Sequence, residues 1–231
     1  MENPLFVALD VDHGERALEL ARQLQGKVGG FKVGPRLLLR HGGEWVKHLA
    51  RFGQVFIDNK YLDIPNTMTA AVRATFAVGA SFTTIHCWAG PEAMRQLAEL
   101  ERELNQQRPF KILAVTILTS FTAQTLPLSL RGTNVTEQVL SLAQEAYECG
   151  LTGVVCSPLE VEALRARQPE SFLVTPGVRF CEDDKGDQKR VLAPHEAMRL
   201  GSSALVVGRP ICDASDPVLA AERYLDAISR A

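Results

Sequence analysis

The feature that most constrains the fold of this chain is a series of eight short apolar runs. Stretches with helical spacing follow these runs. The runs are rich in Val, Ile, Leu and Phe, and they cover residues 5–11, 29–34, 54–60, 81–87, 111–118, 153–157, 172–177 and 203–208. Regular alternation of strands and helices indicates a parallel sheet covered by helices. Eight strands with roughly eight helices match a (β/α)8 barrel. The sequence therefore predicts an α/β fold of the (β/α)8 TIM barrel type.

A doubly wound open sheet is the alternative α/β architecture, and the sequence favours it less. Open sheets usually have fewer strands, and the GxGxxG fingerprint of many nucleotide-binding sheets is missing after the first run. The helical stretches cover residues 13–24, 63–79, 90–107, 135–150, 158–168, 194–201 and 217–231. Because no shift in composition and no Gly/Ser-rich linker marks a boundary, we expect a single barrel domain over residues 1–231.

Composition argues against several classes of partner. The formal net charge is -2 and the isoelectric point is about 6.2, so long-range attraction to nucleic acid or to an anionic membrane is not expected. No stretch reaches the roughly 18 apolar residues of a membrane span, and the first residues lack the pattern of a secretory signal. We expect a cytoplasmic protein. The five cysteines and five histidines show neither CxxC nor HxxxH spacing, so no metal site is expected.

Polar side chains stand at or just after the end of every predicted strand. In a barrel, catalytic residues lie at the carboxyl ends of the strands, whereas the opposite face mainly serves stability. In chain order these polar residues are Asp10, Lys32, Asp58, Lys60, His86, Thr119, Ser157, Arg179 and Arg209. We therefore expect one rim of the barrel to carry the functional site. For His86, a core histidine with a satisfied hydrogen bond is as good an interpretation as a catalyst.

The densest group of charges follows the third run, in FIDNKYLDIPNT. Side chains two residues apart share one face of a strand, so Asp58 and Lys60 should both point into the barrel mouth and pair. Lys32 on the neighbouring strand supplies a second cation, and Asp63 precedes Pro65 at the start of the next helix. The expected order in space is Lys32, Asp58, Lys60, Asp63. Two alternatives stay open, namely an ion pair that only stabilises the barrel and a helix cap at Asp63.

The last strand and two long connections predict a phosphate site. Loops after strands seven and eight bind phosphate in many barrels through backbone N-H groups and helix N-termini, and the Arg209 guanidinium beside Gly208 suits phosphate oxygens. The connections 119–134 and 178–193 are long, polar and contain Gly or Pro, as lids often do. The alternatives are that Gly208 only turns the chain, that Arg209 pairs with a surface acid, and that the loops have no function.

A lysine between two carboxylates has its ammonium form favoured, which makes it a poor Schiff-base nucleophile at neutral pH. It can stabilise a nearby carbanion and then deliver a proton. The residues alone therefore favour a barrel enzyme for a phosphorylated small molecule. They also favour decarboxylation or proton transfer at carbon over hydrolysis, with no metal or redox cofactor evident.

The chain resembles the orotidine 5'-phosphate decarboxylase family over essentially its whole length. The matching motifs, in order, are LFVALDV, FKVG, DNKYLDIPNT, TIHCWAG, VTILTS, TPGVR, GDQKR and VVGRP. A generic phosphate-binding barrel would not share DIPNT and GDQKR. The resemblance implies decarboxylation of orotidine 5'-monophosphate to UMP, the last step of de novo pyrimidine biosynthesis. It also implies that the enzyme uses no metal and no organic cofactor.

The resemblance also implies roles for individual residues. Asp58 would crowd the substrate carboxylate, Lys60 would donate the proton to carbon 6, and Asp63 and Thr67 would reach into the partner subunit's site in a homodimer. Lys32 would belong both to the charged group and to the ribose contacts. The implied substrate contacts are Asp10 and Lys32 at the ribose, Thr119 and Gln188 at the pyrimidine, and Arg179, Gly208 and Arg209 at the phosphate, with Gln188 also near the phosphate.

Two alternative functions remain open from the sequence. The first is a magnesium-dependent decarboxylase of a sugar-acid phosphate such as 3-keto-L-gulonate 6-phosphate, which would need an acidic metal ligand near the second strand, where this chain has FKVG. The second is a barrel that binds a nucleotide without catalysis. Binding alone gives no reason to place two carboxylates beside a lysine, so the charged group favours an enzyme.

Overall fold

The computed structural model describes residues 3–183 and 190–231 and contains a closed barrel of eight parallel strands. The strands follow one another around the barrel in chain order, and the last pairs with the first. They are β1 (Leu5–Ala8), β2 (Gly30–Val33), β3 (Gln54–Tyr61), β4 (Phe82–His86), β5 (Lys111–Val115), β6 (Gly153–Val155), β7 (Phe172–Pro176) and β8 (Ala204–Val207). The predicted (β/α)8 barrel is confirmed.

Helices connect consecutive strands on the outside of the barrel. Among the described residues they are α1 (Gly14–Leu24), α2 (Pro35–Leu49), α3 (Pro65–Ala77), α4 (Gly90–Asn105), α5 (Val135–Glu148), α6 (Val161–Arg167), α7 (Pro194–Arg199), α8 (Arg209–Cys212) and α9 (Pro217–Ser229). Side-chain caps fix where some helices begin. The Asn134 carboxamide accepts the first free N-H groups of α5, and the Asp216 carboxylate does the same for α9.

Most strands are shorter than the apolar runs that predicted them, β3 being the exception. The pairing of β5 with β6 ends at Val115 and Val155, although the apolar run continues to residue 118. β1 likewise ends at Ala8 rather than at residue 11. Beyond Val115 the residue Ile117 packs with apolar residues of the following loop and of α5. Several polar residues predicted to lie at strand ends therefore lie on the first turn of the following loop.

Two apolar layers surround the strands. One lies outside the barrel, between strands and helices, and includes Leu5, Phe31 and Tyr224, all buried. The other fills the barrel interior with phenylalanine rings. The centroids of Phe6 and Phe82 lie 5.3 Å apart in an edge-to-face arrangement, which is favourable for aromatic pairs. This packing fills the interior of the barrel below the carboxyl ends of the strands.

Gly30, the first residue of β2, allows the close packing at the amino-terminal end of the barrel. A Cβ atom at this position would lie 2.3 Å from the backbone oxygen of Gln54 and 2.7 Å from the Phe6 ring. No side chain fits at such distances, so glycine is required where the strand approaches its neighbour and the aromatic rings inside the barrel.

No helix in the described ranges is long and apolar enough to cross a membrane.

Candidate active site

A cavity of about 550 Å³ opens at the carboxyl ends of the strands. Its floor is apolar and includes Phe56, Val155 and Val206. Its charged and polar side chains are Asp10, Lys32, Arg36, Asp58, Lys60, Thr119, Arg179 and Arg209. The predicted rim site is therefore present as a single cavity, with an apolar base and mixed charges around its walls.

A continuous row of four alternating charges crosses one wall of the cavity. The Lys32 ammonium lies 3.2 Å from Asp10 Oδ1 and 3.5 Å from Asp58 Oδ2, and the Lys60 ammonium lies 2.8 Å from Asp58 Oδ1. Lys32 and Asp58 are largely buried, whereas Asp10 is half exposed. Buried charges are tolerated when they are paired, and each inner member of this row has an opposite charge on both sides. The predicted pairing of Asp58 with Lys60 is confirmed.

The backbone at Lys60 is irregular, which the simple strand pattern did not predict. The pairing of β3 with β4 shifts register between Ile57 and Tyr61, and Lys60 has a φ of 49°, in the left-handed region. Thr84 on β4 supports this conformation. Its hydroxyl accepts the Lys60 N-H at 2.9 Å and donates to Asp58 Oδ1 at 2.9 Å. The bulge therefore presents the ammonium to the cavity, and one threonine ties the backbone of Lys60 to the side chain of Asp58.

Pairing fixes the ionisation of the two inner charges. Burial by itself would raise the pKa of Asp58, but Lys32 and Lys60 outweigh it and the net pKa lies below the ordinary value of 3.8. For Lys32, burial would lower the pKa, but Asp58 and Asp10 outweigh it and the net pKa lies above 10.5. At neutral pH, Asp58 is a carboxylate and Lys32 an ammonium.

The lowered pKa of Asp58 predicts a specific dependence of stability on pH. The ionised Asp58 carboxylate should contribute fully to the stability of the folded state above the unfolded-state pKa near 3.8. This contribution should be lost as the pH falls through the lower folded-state pKa. The difference in unfolding free energy between the wild type and Asp58→Asn should therefore shrink as the pH is lowered below about 4. Urea unfolding of both proteins at several acidic pH values measures this difference. A constant gap would contradict the pairing.

Asp63 does not belong to the row of charges, so the expected order in space was wrong in its last member. Among the described residues its carboxylate accepts the N-H of Ile64, at 2.7 Å, and forms no ion pair with the row, and the residue is exposed. It does not cap α3 either, because the cap position is Ile64 and Pro65 is the first helical residue. Asp10 instead supplies the second carboxylate, on the far side of Lys32. Thr67, in the first turn of α3, is also exposed.

His86 and Ser157 lie at the predicted strand ends, but they do not line the cavity. The His86 ring packs on Trp88, and its Nδ1 accepts the Trp88 N-H at 3.3 Å. Burial and then the Lys60 charge lower the pKa of His86, so the ring is neutral at pH 7. The buried Ser157 hydroxyl accepts the Leu159 N-H. Both residues hold local backbone and neither lines the cavity as expected; β4 contributes Thr84 to the site instead of His86.

The predicted phosphate residues lie together along the cavity wall formed by the ends of β7 and β8. Gly208 precedes α8, Arg209 is its first residue, and Arg179 follows β7; all three line the cavity. Thr119, in the loop after β5, lines it as well. Gln188 lies outside the described residues.

Two residues at the site were missed from the sequence. Thr84 lies two residues before His86, so the period of two along β4 could have indicated its inward face. Arg36, in the first turn of α2, lines the cavity and donates to the Asp10 carbonyl at 2.9 Å. No sequence pattern marks this contact.

Among residues 3–183 and 190–231, no group of three or more His, Cys, Asp or Glu side chains could hold a metal ion.

Comparisons with known proteins agree over nearly the whole chain. A family model described as "Orotidine 5'-phosphate decarboxylase / HUMPS family" matches residues 3–224. The orotidine 5'-phosphate decarboxylase of Trichlorobacter lovleyi is 42% identical, over 98% of this chain and 95% of that protein. The one from Parasynechococcus marenigrum is 45% identical, over 92% and 89%. The crystal structure of orotidine 5'-phosphate decarboxylase from Lactobacillus acidophilus superposes with a TM-score of 0.84 at 35% identity, covering 97% of this chain and 98% of that one.

Proposed function

The chain belongs to the orotidine 5'-phosphate decarboxylase / HUMPS family, and from this premise we propose that it converts orotidine 5'-monophosphate to UMP. It is a carboxy-lyase that serves the last step of de novo pyrimidine biosynthesis. The observation that carries the proposal is the row Asp10, Lys32, Asp58 and Lys60 beside the cavity. The proposal includes the absence of any metal or organic cofactor and a cytoplasmic location.

The proposed chemistry centres on Lys60. The bond between carbon 6 and the carboxylate breaks, carbon dioxide leaves, and the electron pair remains on carbon 6. The Lys60 ammonium stabilises that carbanion and donates a proton to it, and the neutral amine then takes a proton from solvent. In this proposal Asp58 crowds the substrate carboxylate. Lys32 keeps Asp58 ionised. The Thr84 hydroxyl accepts the Lys60 N-H and so keeps the Lys60 backbone in place.

The attraction between Lys60 and the carbanion is insufficient by itself. An ammonium about 4 Å from a unit negative charge is worth roughly 4 kcal/mol at an effective dielectric constant near 20. Enzymes commonly lower barriers by about 8 to 23 kcal/mol. We attribute the remainder to preorganised charges and to binding of substrate parts remote from carbon 6.

Remote binding is assigned to the other cavity residues. Asp10 and Lys32 bind the ribose, and Thr119 and Gln188 bind the pyrimidine, with Gln188 also near the phosphate. Arg179, Gly208 and Arg209 bind the phosphate. The cavity supports this division, because two arginines lie at the ends of β7 and β8 whereas the carboxylates lie at the ends of β1 and β3. A phosphate suits the arginine side, because the lysines on the other side are already paired with Asp10 and Asp58.

We further propose a homodimer in which Asp63 and Thr67 contribute to the partner subunit's site. Both residues are exposed in this chain, and Asp63 stands between two exposed apolar residues, Leu62 and Ile64, with 53% and 67% of their surface accessible. Exposed apolar side chains beside a charged residue suit an interface that buries them on association. In such a homodimer Asp63 would have a role in the partner subunit's site, whereas its contacts within one chain suggest no role.

Mixing two inactive variants should test the shared site. Lys60→Ala and Asp63→Ala subunits are expected to form heterodimers in which one of the two sites has both Lys60 and Asp63. Activity should then rise well above that of either variant alone, to as much as about one quarter of the wild-type value for random exchange between equal amounts of two-site dimers. Native mass spectrometry of differently tagged subunits verifies the exchange. No recovery despite verified heterodimers would contradict the shared site.

A magnesium-dependent sugar-phosphate decarboxylase is the competing function within this family type. It would need an acidic ligand at the end of β2, but that position carries Lys32, whose ammonium bridges Asp10 and Asp58. A cation at that point opposes binding of a metal ion. The row of charges also argues against a barrel that only binds nucleotides.

A single assay separates these functions. Loss of orotidine 5'-monophosphate absorbance is followed with and without EDTA, and UMP is identified by chromatography. We expect equal rates in both conditions. Activity abolished by EDTA and restored by magnesium would support the metal-dependent alternative. No turnover in either condition, with UMP still bound, would support a binding protein.

A further inference from the structure

A second buried ion pair lies beside the cavity but apart from the row of charges. Arg190, in the connection between β7 and α7, donates through Nη1 to Glu160, which directly precedes α6. Arg190 is 7% exposed and Glu160 1% exposed. Neither residue lines the cavity. The proposed mechanism gives this pair no role.

The same guanidinium also reaches the loop after β5. Its Nη2 lies 3.3 Å from the Ile117 carbonyl oxygen and 3.4 Å from that of Leu118. The ladder between β5 and β6 ends at Val115 and Val155, so these two carbonyls lie beyond the sheet. The planar fork of an arginine can bind a carboxylate on one side and carbonyls on the other, which a lysine cannot do with the same geometry. Arg190 thus joins the loops that follow β5, β6 and β7.

Stability alone does not account for this arrangement. A buried ion pair loses much of its attraction to desolvation, and well-packed apolar residues often stabilise a protein equally well. The pair does, however, fix the position of one particular segment. Ile117, Leu118 and the next residue, Thr119, all line the cavity. A displacement of this segment would therefore move the wall against which a substrate lies.

From these contacts we infer that Arg190, held by Glu160, is a positioning residue that places Thr119 and its neighbours against the substrate. The inference rests on the proposed function, in which Thr119 contacts the pyrimidine. Small displacements of binding groups can cost up to about 100-fold in rate, because reacting groups must be held in a narrow range of geometry. Arg190 acts only through the backbone that it holds.

The Arg190→Lys variant tests the inference, because it keeps the positive charge but loses the fork. We expect kcat/KM for orotidine 5'-monophosphate to fall by about 10- to 100-fold while circular dichroism stays that of the folded protein. Arg165→Lys is the matched control. Arg165 also holds backbone carbonyls, those of Gly201 and Ser171, but it does not line the cavity or touch its loops. It should lose stability to urea while kcat/KM stays within about twofold of the wild type.

A double-mutant cycle with Thr119→Ala separates positioning from general weakening. If Arg190 acts through the Thr119 segment, Arg190→Lys should cost less than about threefold when Thr119 is already alanine. If the kcat/KM losses of the two single variants simply multiply in the double variant, the inference is overturned. An Arg190→Lys enzyme with the kcat/KM of the wild type would overturn it as well. If Arg190→Lys does not fold, the same cycle is measured with Glu160→Gln, which keeps an acceptor for Arg190 but removes the attraction between charges.

The two proposals fail in different ways. An inactive wild type would overturn the proposed function and this inference with it. An active wild type with a multiplicative cycle would overturn only the positioning role of Arg190.

Discussion

Lys60→Ala is expected to lower kcat/KM for orotidine 5'-monophosphate by at least about 10⁴-fold, the upper end of what a positioned proton donor contributes. In the proposed mechanism the variant loses both the cation beside carbon 6 and the proton that replaces carbon dioxide. It leaves Asp58 paired with Lys32, at 3.5 Å, so Asp58 keeps an opposite charge beside it and the barrel should remain folded. Steady-state kinetics at high enzyme concentration, together with urea unfolding, measure both expectations.

The matched control is Lys27→Ala. Lys27 is an exposed lysine that precedes β2, at the opposite end of the barrel, and it pairs with Glu222 at 2.8 Å. Exposed pairs contribute about 0–1 kcal/mol to stability, so this variant should keep both its activity and most of its stability. Lys60→Ala with more than a few per cent of wild-type turnover would remove Lys60 from the centre of the mechanism.

Arg209→Ala is expected to lower kcat/KM by about 10²- to 10³-fold, although in the proposed binding mode Arg209 contacts only the phosphate, remote from carbon 6. Arg209 is exposed in the free chain, but a bound phosphate would enclose the pair of charges, and removing one partner of such a pair typically costs about 2 to 5 kcal/mol. Binding energy at the phosphate serves to orient the reacting part of the substrate, so the loss should appear in the reaction rate as well as in binding. Kinetics over a wide range of substrate concentration separate the two effects.

Orotidine, the same substrate without its phosphate, gives the sharpest control for this prediction. It should react slowly with the wild type, and Arg209→Ala should change that slow rate by less than about threefold, because the interaction removed no longer exists. Arg16→Ala, at an exposed arginine that pairs with Glu19 on α1, should leave both substrates unaffected. An equal loss for both substrates would show that Arg209 acts on something other than the phosphate.

The fold was predictable because its signal repeats along the chain. Every strand of the barrel coincides with a predicted apolar run, β3 extending one residue beyond its run, and the alternation with helices limited the architecture to very few choices. The ends of the strands were less predictable. Apolar residues such as Ile117 continue the pattern beyond β5, but the backbone there leaves the sheet and is held by Arg190 instead. Hydrophobic periodicity reports burial and does not report where pairing stops.

The candidate site was predictable where it depends on strand spacing and not where it depends on loops. Asp58 and Lys60 were expected to pair from a spacing of two, and they do. Asp63 was expected in the same row, but its separation of three residues from Lys60, across a strand end, carries no directional information. Asp10 takes its place because β1 and β2 are neighbours, with Ala8 opposite Lys32. The pairing of Glu160 with Arg190 joins residues 30 positions apart and has no local signal at all.

The left-handed backbone of Lys60 has a consequence for how this enzyme can change. A residue with a Cβ atom in that conformation costs about 1 to 2 kcal/mol relative to glycine, which adopts it freely. Glycine at position 60 should therefore give a more stable barrel than alanine there. Where this gain exceeds the loss of the ion pair with Asp58, a search that selects only for thermal resistance would drift toward glycine and, in the proposed mechanism, lose the proton donor. At position 60, stability of the folded protein and catalytic turnover thus favour different residues. Selection for turnover is what retains lysine there.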